Sequence, residues 1–196
     1  GRRMWLLLPM DNAYKMVILG LLIASLLCFF FNFIVGLDRF SLPMARVFYE
    51  VGNSSIFILL YLAMLFLALD IARLMGLVPP SFLRHSVQGT LFVSVAIVGL
   101  FGYGYLHYYH KVRVPIALSS HKPLPQPSKF VMISDMHLGY HNTRNDLAKW
   151  VDLINAEHPD AVLIAGDITD FSMQPLLKAD MAAEFRRLNA PIYACL

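Results

Sequence analysis

Hydrophobic and polar positions divide the chain into two halves of different character. In the first half, three stretches run for about the 20 apolar residues that a helix needs to cross a bilayer core of roughly 30 Å. They are residues 16–37 (MVILGLLIASLLCFFFNFIVGL), 54–75 (SSIFILLYLAMLFLALDIARLM) and 89–106 (GTLFVSVAIVGLFGYGYL). Asn32 is the one strongly polar member of the first. The second carries Asp70 and Arg73 near its end, and their i, i+3 spacing predicts a local ion pair that snorkels to the interface. The competing reading, an ion path through the membrane, requires Asp70 to face a polar cavity instead. The third leads into GYGYLHYYH, where Tyr103, Tyr105, Tyr108 and Tyr109 suit an interfacial aromatic belt and His107 and His110 are assigned to anchoring rather than to a metal. Residues 38–53 and 76–88 are expected to be short connections, the latter holding Pro79 and Pro80.

After residue 110 the pattern changes. Residues 111–128 (KVRVPIALSSHKPLPQPS) contain four prolines and predict an extended, partly PPII linker, with residues 112–118 as a possible edge strand. From residue 129 onward, apolar strands alternate with amphipathic helices. Strands are expected at 130–134, 161–165 and 191–196, and helices at 143–157 and 176–188. The first helix has Asn142 or Thr143 as its cap and Leu147, Trp150, Val151 and Ile154 on one face. The strands should pair in parallel through right-handed βαβ crossovers. The expected architecture is therefore a helical membrane region of three spans (1–110), a Pro-rich linker (111–128) and a β-α-β-α-β unit (129–196).

Composition supports this division. Of 196 residues, 58% are hydrophobic and 15% charged, and the mean hydropathy is +0.58, too apolar for one ordinary soluble domain. The net charge of +3 is small and its cations are scattered, which excludes the basic stripe of a nucleic-acid binder. Cys28 lies in an apolar run and Cys195 in a strand read as buried, so no disulfide is expected between them. GRRMWLLLPM opens with an Arg pair, but no signal-cleavage site follows the next apolar run, which reads as a retained span. Cations balance on the two sides of the spans, so the positive-inside rule gives no orientation.

The chemistry sits where strands end in acid. The first runs into Ser134-Asp135-Met136-His137 and the second into Gly166-Asp167-Ile168-Thr169-Asp170. In a parallel α/β sheet the carboxyl ends of neighbouring strands face one crevice, so Asp135, His137 and Asp167 are expected to converge. Two carboxylates and an imidazole suit a divalent Mn, Fe or Zn ion, which would also relieve the repulsion between the acids. Gly166 lets the backbone approach such an ion, and Gly139 loosens the turn after His137. Capping of the following turns is the plainer role for either acid alone, and the joint pattern favours the metal. His121 and His141 are lone loop histidines without an assigned role. No Gly-rich phosphate loop is present.

SDMHLG followed by GDITD resembles the calcineurin-like metallophosphoesterases, whose early motifs read D-x-H and, one βαβ unit later, G-D-x-x-D. The resemblance covers about residues 129–196, and the preceding spans make the chain similar to the family's membrane-anchored bacterial branch. It implies that Asp135 and His137 hold one metal, that Asp167 bridges two, and that Asp170 supports the site through hydrogen bonds. It further implies two divalent ions (Mn, Fe or Zn) and hydrolysis of a phosphoester, and placement of such a site beside a lipid bilayer suits a lipid-linked or envelope phosphoester substrate. The family continues from its third strand into G-N-H-[DE], a further His and a G-x-H motif, which supply the second metal's remaining ligands and the catalytic His. PIYACL is the strand that should lead into them, so the catalytic unit is expected to be incomplete and inactive in this piece. The opening on Gly rather than Met points to an earlier segment as well. One added span would return both termini to one side, and the expected location is a bacterial inner membrane with the catalytic unit in the cytoplasm. The alternative is a membrane-anchored α/β binding or scaffold protein without catalysis.

Overall fold

In a computed structural model, residues 1–119, 121–122 and 126–195 are described. The remaining positions include part of the expected linker and the last residue of the expected third strand, which lie outside the described residues. The chain forms two compact units, Gly1–Ile34 with Val51–Ile116, and Val35–Glu50 with Ala117–Leu196.

The first unit is helical. A short helix α1 (Arg2–Leu7) precedes α2 (Asn12–Ile34), α3 (Leu42–Leu74), a 3-10 turn at Pro80–Leu83, and α4 (Val87–Tyr109). Helices α2, α3 and α4 are long and apolar enough to cross a membrane. Helix α3 begins well before the apolar stretch that marks it, which corrects the expected connection at 38–53. Pro43 occupies its first turn, where a missing N–H leaves no bond unmade, and Arg46, Glu50, Gly52 and Asn53 continue the helix although they dilute the hydropathy signal. Its 33 residues rise about 50 Å at 1.5 Å each, more than a ~30 Å hydrocarbon core requires. The helix stops at Gly76, whose left-handed φ of 76° allows Leu77 N–H to reach Ala72 O at 2.9 Å and Gly76 N–H to reach Arg73 O at 3.1 Å. At the start of α4, the Ser86 hydroxyl accepts from Gly89 N–H at 3.0 Å.

Small residues allow α2 and α3 to approach closely. A Cβ on Gly52 would lie 2.8 Å from the Phe29 Cα, and the Ser55 hydroxyl donates to Gly52 O at 2.7 Å and Ser25 O at 3.2 Å. Leu7, Leu69, Leu83 and Val93 form a buried cluster. The expected Asp70–Arg73 pair is not the one formed: Arg3 Nη2 lies 2.8 Å from Asp70 Oδ2. Helix α1 is tied to the turn before α4 by His85 N–H to Leu6 O and Ser86 N–H to Leu7 O, and that long-range fold-back is invisible to an i, i+3 rule.

The second unit contains three parallel strands, β1 (Phe130–Ile133), β2 (Ala161–Ala165) and β3 (Ile192–Cys195), in the order β1-β2-β3. Helix α5 (Arg144–Ala156) connects the first two. Thr143 caps it, with the Asp146 carboxylate accepting from the Thr143 N–H at 3.0 Å and from its hydroxyl at 2.8 Å. Leu147, Val151 and Ile154 from α5 meet Val162 and Ile164 from β2, together with Met136, Leu138 and Met181, in a buried core. The alternation of strands with helices and the parallel pairing follow the apolar pattern as expected.

Three local expectations change. The helix expected at 176–188 is two short ones, α6 (Gln174–Lys178) and α7 (Ala182–Phe185). Asp180 takes a left-handed φ of 46°, and Met181 N–H bonds Leu176 O at 3.0 Å while Asp180 N–H bonds Leu177 O at 3.3 Å, a Schellman ending that usually carries Gly. Met181, just beyond, is then buried in the core. Residues 112–118 form no strand, in keeping with Pro115 in their middle. Strand β3 and Cys195 are exposed rather than buried, because β3 is an outer strand with β2 as its neighbour.

Residues 35–50 belong to this unit. Leu37 and Ala45 are buried with Tyr140, and Phe40, Leu42, Phe48 and Tyr49 pack around them.

Candidate metal centre

The site is made by two loops that leave the carboxyl ends of adjacent parallel strands. Ile133 pairs with Ile164 at the last register position of the β1–β2 ladder, so residues 135–138 and 166–170 emerge side by side. Backbone bonds then stitch the loops together: His137 N–H donates to Asp167 O, Leu138 N–H to Ile168 O, and Asp170 N–H to Leu138 O, each at 2.9 Å. Met136 and Leu138 point into the core, while Asp135 and His137, on either side of Met136, are exposed and face out. The Asn142 amide donates to Met136 O at 2.8 Å, which ties the turn back on itself.

Asp135, His137 and Asp167 have left-handed φ values of 54°, 43° and 47°. Such backbone costs a non-glycine residue on the order of 1–3 kcal/mol and persists where the surroundings over-determine it. Gly166, at φ 76°, adopts the same region without a Cβ penalty. Gly139 has a different reason to be glycine: a Cβ there would lie 2.8 Å from the Asp170 Cβ.

The outcome is a donor set. One carboxylate oxygen each from Asp135 and Asp167 and one imidazole nitrogen of His137 lie within 4.8 Å of one another, all on exposed residues. Two acids drawn together at strained backbone, with an imidazole nitrogen among them, match the preferences of a divalent transition metal. The residues present fit such an ion. Asp170 stands beside the set, its carboxylate accepting from the Tyr49 hydroxyl. His121 and His141 are not in the group, and neither are His107 and His110 of the helical unit.

Residues 38–50 supply the surroundings, and the sequence reading missed them. The His141 Nδ1 lies 2.6 Å from Glu50 Oε1, and this bond raises the His141 pKa above its ordinary value against the opposing effect of burial. Arg46 Nε donates to Tyr140 O at 3.1 Å. The Tyr140 hydroxyl donates to Asp38 Oδ1 at 2.8 Å, and burial, followed by that bond, pushes the Tyr140 pKa up to about 12. Asp38 also accepts from the Ser172 hydroxyl at 2.6 Å; that bond first, then Tyr140, holds the Asp38 carboxyl below its usual range. These partners lie about 90 to 135 positions apart in sequence. The spacing of Arg46, Tyr49 and Glu50, which places them on one helical face, was the available signal.

Fold and site together define an α/β unit that presents carboxylate and imidazole ligands at the carboxyl ends of its strands. Residues 128–196 match the family model of the calcineurin-like phosphoesterases, which supports that superfamily, and hydrolysis of phosphoesters at the family level, for this part of the chain. Comparison with curated proteins and with solved structures gave no match.

Proposed function

We propose that the protein is a membrane-anchored, metal-dependent phosphoesterase. The observation that carries this reading is the gathering of Asp135, His137 and Asp167 donor atoms within 4.8 Å, in a part of the chain that matches the phosphoesterase family. Asp135 and His137 would hold one divalent ion, Asp167 would be shared with a second, and Asp170 would support the loop by hydrogen bonding. When bound, such ions polarise the phosphoester and lower the pKa of water toward neutrality. The chain's own contribution is placement. The ladder from His137 to Asp170 fixes both loops, and the exposure of all three ligands leaves room for substrate.

The helices long and apolar enough to span a membrane support a site held beside a lipid bilayer and a lipid-linked phosphoester as substrate. A bacterial inner membrane with a cytoplasmic catalytic unit completes the proposal. Catalysis is assigned to a chain carrying the full motif set, G-N-H-[DE] included. The test is Mn²⁺-dependent hydrolysis of an aryl phosphate by that protein, with the expectation that Asp167→Asn reduces it to background. Activity that survives Asp167→Asn contradicts the site assignment, and a full-motif protein without metal-dependent activity favours an anchored scaffold.

A further inference from the structure

Outside the donor set, a polar cluster in the second unit joins the first turns of α3 to the loops that carry the ligands. Arg46, Tyr49 and Glu50 lie at i, i+3 and i+4 and reach, respectively, the Tyr140 carbonyl at 3.1 Å, the Asp170 carboxylate and His141 at 2.6 Å. Arg46 and Glu50 grip the chain after His137. Tyr49 reaches the second loop, three residues beyond Asp167.

Asp170 is the joint between the loops. Its N–H donates to Leu138 O at 2.9 Å, next to His137, and its Cβ is close enough to Gly139 that no side chain fits there. Its carboxylate orientation therefore bears on both loops, and the Tyr49 hydroxyl sets that orientation. The Tyr49 ring is itself held against the Tyr140 ring, with centroids 5.7 Å apart. Ligands whose backbone is left-handed at Asp135, His137 and Asp167 need such outside support to stay converged.

We propose that Tyr49 is a positioning residue for the metal centre, acting through Asp170 to hold the two ligand loops in register. This rests on the metal-site reading above and extends it to the start of α3, an element outside the family-matched residues. The α3 segment thereby forms part of the site's support, so cation affinity depends on a side chain that ligates nothing.

Isothermal titration of the whole chain in detergent with Mn²⁺ alone tests this. Tyr49→Phe keeps the ring and removes the hydroxyl, and it should weaken Mn²⁺ binding about tenfold, the low end of the range for residues that orient ligands. The thermal midpoint without metal should stay near that of the unaltered chain. Ser172→Ala, which removes a bond to Asp38 in the same region, should leave Mn²⁺ affinity within about twofold, as expected for a surface change away from the ligands. If Tyr49 acts through Asp170, adding Tyr49→Phe to Asp170→Asn should change affinity no further. Unchanged binding by Tyr49→Phe overturns the proposal, as do fully additive losses in the double variant. Should Tyr49→Phe fail to fold, Asp170→Asn in the Tyr49 background decides: unaltered Mn²⁺ affinity there removes the joint and the proposal with it. If the unaltered chain binds no Mn²⁺, the metal-site reading itself fails, a result distinct from loss in one variant.

Discussion

The two units use the same apolar residue types to opposite ends. In α2, Leu21 and Leu27 face outward at 66% and 60% exposed, whereas in α5 Leu147 is 1% exposed and lies in a closed core. An outward apolar surface along a helix long enough to span is stable only in a solvent as apolar as itself. The α/β unit instead draws its stability from burial against water, and that core allows it to hold three residues in left-handed backbone at one edge. Close approach is managed alike in both, by glycine: Gly52 against Phe29, and Gly139 against Asp170.

Paired substitutions sharpen this contrast. The largest effect is expected for Leu147→Ala, which should destabilise the α/β unit by about 3 kcal/mol through lost burial and a residual cavity. Leu21→Ala should leave that unit's stability unchanged. Denaturant unfolding in detergent, followed by near-UV circular dichroism, measures both. Equal losses would break the comparison.

Glycine substitutions come next. Gly139→Ala should destabilise the α/β unit by about 1–3 kcal/mol, because the new methyl overpacks against Asp170. Gly166→Ala meets nothing within 4 Å, so its cost is backbone strain alone, about 1 kcal/mol. If Gly166→Ala proved the more damaging, contact would not be what fixes glycine at 139.

The smallest effect is a pH dependence. Glu50 raises the pKa of His141 in the folded chain, so the pair contributes stability that is fully present below the unfolded imidazole value of about 6.5. It is lost as pH rises through the higher folded value. The pair is partly exposed, with side chains 36% and 41% accessible, which limits it to less than about 1 kcal/mol. Unfolding midpoints between pH 6 and 9 should therefore fall slightly in the unaltered chain and lose that component in Glu50→Gln.

Much of this arrangement was legible in the residues. Length and polarity alone mark the apolar helices, and alternation of strand and helix marks β1, α5 and β2, because both signals are local. Convergence of Asp135, His137 and Asp167 was legible too, since strand ends of a parallel sheet share one crevice. What escaped is non-local or rests on an unusual residue. Arg3 reaches Asp70 because α1 folds back, Asp180 breaks a helix where Gly is the usual breaker, and Tyr49 meets Asp170 across 121 positions. Hydropathy placed the start of the second apolar stretch near Ser54 and so concealed the helical turns that carry Arg46, Tyr49 and Glu50.

Whether His137 shares a cation with the two acids is tested directly by electron spin echo spectroscopy of the Mn²⁺-loaded chain. A ¹⁴N modulation from a coordinated imidazole is expected, absent in His137→Gln. A modulation that persists unchanged in His137→Gln, or an unaltered chain that retains no bound Mn²⁺, would contradict this sharing.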